Sequence, residues 1–364
     1  MELRNIAKQF KIDGDVYNVS AFGNGHINAT YKVVMAKGGY DYILQSINTS
    51  IFTNVDELSD NILRISEHIK KKLRPVFSSE QILNRSITII KTKGDKLHYI
   101  DEKGSVWRMF ILIKNSVTVD KLKDAAYAYL AGAGFGDYQW MLSDLPAPPL
   151  YDVLPDFHNT PLRIDDLTKA ISKDEFARLD DVRAEVDFLL SFSPEMSRVI
   201  ELGNGGEIPQ RIVHQDTKLS NILFDNRGEF LCVIDMDTTM IGYLCYDFGD
   251  AVRGGMNTGA EDEQDLAKIS VNMELFKAFT KGYAATSGVF ITDNEIDTLV
   301  FGAKLITYEQ CVRFLSDYLN GDKYYRCSKP QHNLIRTRSQ IALLKSIIHN
   351  YDAMLHIVND SYNR

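Results

Sequence analysis

The chain of 364 residues is 45% hydrophobic and 25% charged, proportions of an ordinary globular protein with room for a large core. Its 41 Lys and Arg against 49 Asp and Glu leave a formal charge of −8, so bulk charge gives no drive toward DNA or an anionic membrane surface. No apolar run approaches the length of about 18 residues that a membrane span needs, MELRNIAKQFKIDGD lacks the apolar centre of a signal peptide, and the four scattered cysteines match no metal-ligand spacing. A cytoplasmic setting is expected, with no nucleic-acid or membrane partner. The sequence leaves the oligomeric state open.

YNVSAF (17–22) and ATYKVVM (29–35) read as strands flanking the loop GNGHIN (23–28), and YDYILQSI (40–47) as a third. Asn54 and Glu57 form a capping pair ahead of Val55, Leu58, Ile62, Ile65, Ile69 and Leu73. Their three- and four-residue steps predict an amphipathic helix that stops at Arg74-Pro75. ITIIK (87–91), KLHYI (96–100) and SVWRMFILI (105–113) extend the strand-rich region.

From about residue 115 the pattern is helical. DAAYAYLAGAGFGDYQWMLSDL (124–145) has small residues in its middle, which predicts close packing against another element. Ser172 and Glu175 predict a capping box for a helix reaching about residue 190. The stretch 214–238 reads as loop, strand, turn and strand, with Asn226-Arg227-Gly228 at the turn. Helices are expected at about 267–287, at 293–320 behind a Thr292/Glu295 capping box, and at 332–360. The expectation is a small sheet with one helix, joined to a larger helical unit; a doubly wound sheet would need strands alternating with helices to the end.

HQDTKLSNILFD (214–225) and the later IDMD (234–237) carry the chemistry. Phosphoryl transfer needs a carboxylate to position the acceptor hydroxyl and oxygen ligands to hold Mg²⁺ against the phosphates. Asp216 supplies the first. Asn221 offers an amide oxygen and Asp235 an anionic one, and a hairpin pairing 222–224 with 230–234 would bring the three together. Lys218 can neutralise the phosphate, and His214 supports the loop. HxD or IDMD alone is more often a plain turn; the ordered combination carries the assignment. Gly23 and Gly25 would let backbone N–H groups reach a nucleotide's phosphates in a loop closed by Asn28. Taken alone, that loop is as well read as a simple hairpin turn. No helix follows it, which excludes a dinucleotide-binding fold.

On these stretches, together with FGNGHINATY (22–31), YILQSINTSIF (42–52), FGDYQWMLSDL (135–145), FHNTPLR (157–163), VIDMDT (233–238), YDFGDAVR (246–253), QCVRFLSDYLNGDKYY (310–325) and HNLIRTRSQIALL (332–344), the chain resembles the phosphotransferase enzyme family of aminoglycoside, choline and homoserine kinases, most of all its N-acetylhexosamine 1-kinase branch. The resemblance implies an α+β, bilobal protein-kinase-like fold. A small β-rich nucleotide-binding N-lobe would span 1–113, and a larger, mainly helical C-lobe for catalysis and acceptor binding 114–364. It implies ATP and Mg²⁺ as cofactors, with Gly23, Gly25, Asn28, Gln45 and Lys218 as nucleotide contacts and the adenine near 110–115. Asp216 would be the catalytic base, Asn221 and Asp235 the Mg²⁺ ligands, and Asp216, Asp235, Arg313 and Tyr324 the lining of a hexose site. The implied reaction phosphorylates the anomeric 1-hydroxyl of N-acetylglucosamine or N-acetylgalactosamine, giving the sugar 1-phosphate and ADP.

Three alternatives stay open: a kinase of the same family for another acceptor (another hexose, homoserine, choline or an aminoglycoside), a nucleotide-binding protein without turnover, and an interaction or structural module whose late Leu- and Ile-rich helices form a dimer face. AEDEQD (260–265) could line a pocket for a cationic acceptor or start a solvated helix. Arg313 sits among apolar neighbours, where its guanidinium needs a partner, either a bound sugar or a salt bridge in the helical core. YILQ places Gln45 where protein kinases carry a strand Lys, and a Gln45–Glu57 pair would bring no positive charge to the phosphates.

Overall fold

The protein was analysed as a computed structural model that describes residues 2–23, 27–119, 121–122 and 124–364. It divides into two compact units. One comprises Met1–Thr118, Asp144–Pro155 and Leu223–Met240, the other Val119–Ser143, Asp156–Ile222 and Ile241–Arg364.

The first unit opens with a short helix, α1 (Glu2–Ala7), which the sequence reading did not anticipate. Strands β1 (Val16–Ala21), β2 (Ala29–Met35), β3 (Tyr42–Ile47), β4 (Tyr99–Ile100) and β5 (Val106–Ile111) form an antiparallel sheet ordered β1-β2-β3-β5-β4. Val33, Leu44, Trp107 and Met109 bury one face of it against Ile6 and Phe10. Helix α2 (Val55–Leu73) starts where Asn54 accepts the N–H of Glu57, and it buries Leu58, Ile62, Ile65 and Ile69. A five-residue helix, α3 (Ser79–Leu83), follows behind a Ser78/Gln81 capping box.

The strand expected at 87–91 is not regular. Ile90 donates to Met109 O at 2.8 Å and Ile111 to Thr88 O at 2.9 Å, but no continuous ladder forms, and the strand expected at 96–100 shrinks to β4. Beyond β6 (Ser116–Val117) and β7 (Arg211–Val213) the expected hairpin is present as β8 (Ile222–Asp225) and β9 (Phe230–Val233), and β6 pairs with β8. Its turn is closed by Asp225, which accepts the N–H groups of Arg227 and Glu229 at 2.8 and 3.0 Å.

The second unit is helical. Helix α4 (Ala125–Leu142) packs on α9 (Met273–Ser287) through glycines: a Cβ on Gly132 would stand 2.1 Å from Phe279 O, and one on Gly282 1.9 Å from Tyr129 O. The small residues of α4 were expected to mean such an approach. The capping box expected at Ser172 does not form, because α5 (Thr160–Lys173) starts earlier, with Asn159 as cap and Pro161 in its first turn. Ser172 lies in its last turn, bonded to Lys169 O at 3.0 Å.

Helices α6 (Arg183–Phe192), α7 (Arg198–Asn204) and α8 (Leu244–Gly255) lead to α10 (Asp293–Leu319), which has its Thr292/Glu295 capping box and is buried along nearly its whole length. Leu305, Tyr308, Cys311, Val312 and Leu315 of α10 centre the core of this unit. The helix expected at 332–360 is broken at Asn350 into α11 (His332–His349) and α12 (Tyr351–Ser361). Residues 260–265 do not start a helix; Glu261 pairs with Arg253 and Arg336, and Asp262 with Lys329 and His332. Among the described residues, no helix is long and apolar enough to cross a membrane.

Candidate active site

Between β7 and β8 the second unit carries Asp216, Lys218 and Asn221 on a loop held by one buried carboxylate. Asp247 of α8, 1% exposed, accepts the N–H groups of His214 and Gln215 at 2.8 and 2.7 Å and the Gln139 amide at 2.7 Å. Burial pushes the Asp247 carboxyl up, while His214 and these donors pull the other way. Gln215 has φ 64°, a left-handed conformation that a residue with a side chain keeps only where its surroundings impose it. Next along the chain, the Asp216 carboxylate accepts Lys218 Nζ at 2.5 Å and Asn221 Nδ2 at 3.1 Å. Burial works to raise its carboxyl, but Lys218, His214 and Asn221 outweigh it and hold the group below the usual carboxylate range. Asp216 is therefore anionic at neutral pH.

Arg313 and Tyr324 come together in the same unit. The guanidinium lies over the rings of Phe157 at 5.6 Å and Tyr325 at 5.8 Å, and Tyr324 adds to its favourable electrostatic surroundings. Burial disfavours its charge, yet Tyr325, Glu309 and Tyr324 more than offset this and raise its pKa. Tyr324 itself is 67% exposed. Its loop is fixed by Asp317, which accepts the N–H groups of Lys323, Tyr324 and Tyr325 at 2.8–2.9 Å.

Glu309, one helical turn before Arg313, accepts Thr160 Oγ1 at 2.7 Å and meets His158 Nδ1 at 2.9 Å. The other ring nitrogen of His158 reaches Gln215 O at 3.3 Å. A continuous set of contacts thus links the arginine-bearing turn of α10 to the residue before Asp216. His158, Glu309 and Asp247 were not singled out from sequence; His158 and Asp247 stood in quoted stretches with nothing in spacing to mark them.

In the first unit, Gly23 adopts φ 73°, where glycine is favoured. Gly25 lies outside the described residues. The Asn28 amide donates to Asp237 Oδ2 at 2.7 Å and its oxygen accepts Asn48 N–H at 2.9 Å. Gln45 gives its oxygen to Arg108 Nε at 2.9 Å and its amide nitrogen to Thr30 at 3.0 Å, so it is not held by Glu57. Asp235 is exposed at the end of β9 with φ 62°, and leads into one 3₁₀ turn, Met236–Thr238. In that turn Asp237, 4% exposed, is gripped by Arg108 Nη1 at 2.6 Å and Nη2 at 2.7 Å. Arg108 and Asp237 were also missed. The available signal was a lone arginine in the otherwise uncharged strand SVWRMFILI, which a buried position obliges to find an anion.

Residues 18–279, well over half of the chain, match the family model described as the phosphotransferase enzyme family. The chain belongs to that family. It superposes on a choline kinase from Cryptosporidium parvum with a TM-score of 0.63, at 12% identity, over 100% of this chain and 99% of the other. An aminoglycoside phosphotransferase from Alicyclobacillus acidocaldarius gives a TM-score of 0.61, at 11% identity, over 99% and 96%. A spectinomycin phosphotransferase solved with ADP and spectinomycin gives 0.54, at 15% identity, over 100% and 98%. At such identities the likeness is one of fold, and it is the α+β, protein-kinase-like fold that the sequence resemblance implied.

A phosphotransferase of this family needs a place for a hard cation, and the donors present suit one. The side-chain hydrogen bonds of Asn221 run through Nδ2, to the Asp216 carbonyl at 2.8 Å and to its carboxylate, which leaves the amide oxygen as the atom for a cation. In the first unit, taken by itself, Asp235 carries an exposed carboxylate. Among the described residues, no group of three or more His, Cys, Asp or Glu side chains is placed to hold a metal ion.

Proposed function

We propose that this phosphotransferase uses ATP and Mg²⁺ to phosphorylate the anomeric 1-hydroxyl of N-acetylhexosamines, giving the sugar 1-phosphate and ADP. The observation that carries the acceptor class is the Arg313 cluster. A half-buried, permanently charged guanidinium amid Phe157, Tyr324 and Tyr325 repels a quaternary ammonium or polyamine. It suits a neutral polyol, whose ring faces stack on aromatics and whose hydroxyl or acetamido oxygens accept hydrogen bonds. The acidic stretch that might have served a cationic acceptor is instead paired with arginines, a lysine and a histidine.

In this reading Asp216, kept anionic, accepts the hydrogen bond of the 1-hydroxyl and takes its proton as the oxygen attacks the γ-phosphorus. Lys218 offsets charge beside it. Asn221 and Asp235 hold Mg²⁺, which when bound neutralises charge on the phosphates. Gly23 and its loop give backbone N–H groups to the nucleotide. No covalent intermediate is needed, because positioning and charge neutralisation suffice for attack by a hydroxyl.

The test is initial-rate ADP formation with ATP and Mg²⁺ over N-acetylglucosamine, N-acetylgalactosamine, glucose, galactose, homoserine, choline and one aminoglycoside. Turnover is expected on the N-acetylhexosamines, lost in Asp216→Asn and blocked by 1-O-methylation of the sugar. Turnover confined to choline or the aminoglycoside overturns the acceptor assignment.

A further inference from the structure

The missing strand lysine leaves a gap in the first unit, and the residues around Gln45 fill it. Arg108 stands opposite Gln45 in the β3–β5 register and is 3% exposed. All three of its donor nitrogens are used: Nε on Gln45, and Nη1 and Nη2 in a fork on Asp237. Asp237 also takes Asn28, the residue just before β2. Asp237 lies two residues beyond Asp235, in the 3₁₀ turn that follows it. One buried carboxylate thus ties together the entry to β2, the centre of the sheet and the turn that presents Asp235. A buried guanidinium–carboxylate fork is directional, so it fixes the orientation of that turn as well as its position.

We propose that Arg108 is a positioning residue for the nucleotide. Through Asp237 it sets Asn28, at the entry to β2, and the Asp235 turn in one geometry, and it does so from the strand next to the position where the lysine is lacking. Arg108 acts through other residues and makes no claim on the phosphates itself. The inference rests on the reading of Asn28 and Gln45 as nucleotide contacts and of Asp235 as a Mg²⁺ ligand.

The test is titration of the full chain with trinitrophenyl-ATP and Mg²⁺, followed by fluorescence, alongside thermal unfolding with and without Mg²⁺–ATP. Arg108→Met and Asp237→Asn are each expected to weaken probe binding about tenfold and to lose most of the stabilisation by Mg²⁺–ATP. Because both remove the same link, the double variant should lose little more than either single one. Arg108→Lys keeps the charge without the fork and should fall with Arg108→Met. Should Arg108→Met prove too unstable to titrate, the Arg108→Met/Asp237→Leu pair removes both buried charges and restores folding, and it must still bind the probe weakly.

Wild-type affinity in the variants, or losses that add in the double variant, overturn the proposal. A wild-type chain that binds the probe but transfers to no acceptor overturns the acceptor assignment alone. A wild-type chain with no affinity for the probe overturns both.

Discussion

Replacing Glu309 tests whether the acceptor residues on α10 and the catalytic loop are mechanically joined. Glu309 is 1% exposed and is the shared acceptor for His158 and Thr160. Glu309→Ala strands both donors and removes the carboxylate that faces Arg313 one turn on. Removing one partner of a buried ionic pair costs about 3–5 kcal/mol. With an unfolding entropy of about 2.1 cal/mol/K per residue, 364 residues give about 0.8 kcal/mol/K, so Tm should fall by about 4–6 °C. Glu309→Gln retains the shape and the Thr160 bond and should fall by about half as much.

The kinetic consequence separates positioning from plain stability. His158 freed from Glu309 no longer steadies Gln215 O, and Arg313 loses a compensating charge, so the acceptor KM should rise about tenfold, roughly 1.4 kcal/mol of binding. The ATP KM should stay put. Acidity supplies a further check. Burial works against the Glu309 carboxylate, but His158, Arg313 and Thr160 prevail and lower its pKa. A group whose folded pKa is depressed stabilises the fold above its unfolded value of about 4.3, and that contribution disappears as pH falls through the folded value. Wild-type Tm should therefore drop more steeply than that of Glu309→Gln below about pH 4. Scanning calorimetry and initial rates on N-acetylglucosamine measure all of this. A Tm change under about 1 °C with an unchanged acceptor KM would refute the linkage.

Asp216→Asn should lower kcat by about 10²–10⁴ while leaving nucleotide binding intact, read by ADP formation and by fluorescence titration. Because Lys218, His214 and Asn221 depress the Asp216 pKa against the pull of burial, the anionic form persists through pH 5–8. The wild-type kcat/KM profile should then show no acid limb from this group in that interval, and a limb centred near about pH 6 would contradict the assignment. Gly132→Val drives a side chain into Phe279 O across the α4–α9 contact and should destabilise by about 3 kcal/mol or more, seen in urea unfolding. Asp317→Ala frees the N–H groups of residues 323–325, and acceptor KM should rise with little change in the ATP KM.

The sequence was most legible where one local rule decided the outcome. The period of Val55 to Leu73 gave α2, the Thr292/Glu295 box gave the start of α10, and the small residues of α4 gave its tight contact, since each signal is written in neighbours a few residues apart. At Ser172 an equally plausible local box lost to an earlier cap at Asn159 with Pro161, which had already committed the chain to helix. The strand at 87–91 failed because β-branched content does not guarantee a partner in register. In the candidate site, Asp216, Lys218 and Asn221 lie within six residues, so their proximity is written in the local sequence. Arg108 and Asp237 are 129 residues apart, and His158 and Glu309 are 151 apart. Such pairs follow from how the chain closes on itself, which one sequence records only as a charge that lacks an evident partner.

Those distant pairs share a design with Asp247. Two non-glycine residues with left-handed backbones stand at the chemistry: Gln215, immediately before Asp216, and Asp235 itself. Such a conformation opposes folding by about 1–3 kcal/mol and persists only where it is over-determined. At Gln215 the constraint is the buried Asp247, which takes the N–H groups of His214 and Gln215, with His158 on the Gln215 carbonyl. At Asp235 it is the following turn, where Asp237 is fixed by the fork of Arg108 and by Asn28. Each unit thus uses a buried, multiply bonded carboxylate to hold one strained turn beside a proposed functional carboxylate, Asp216 in one and Asp235 in the other. Conservative changes at Asp247 or Arg108 should therefore act on catalysis or nucleotide affinity more than their distance from any ligand would suggest. Replacing Asp235, which leaves the Arg108–Asp237 pair in place, should lower turnover far more than it lowers Tm.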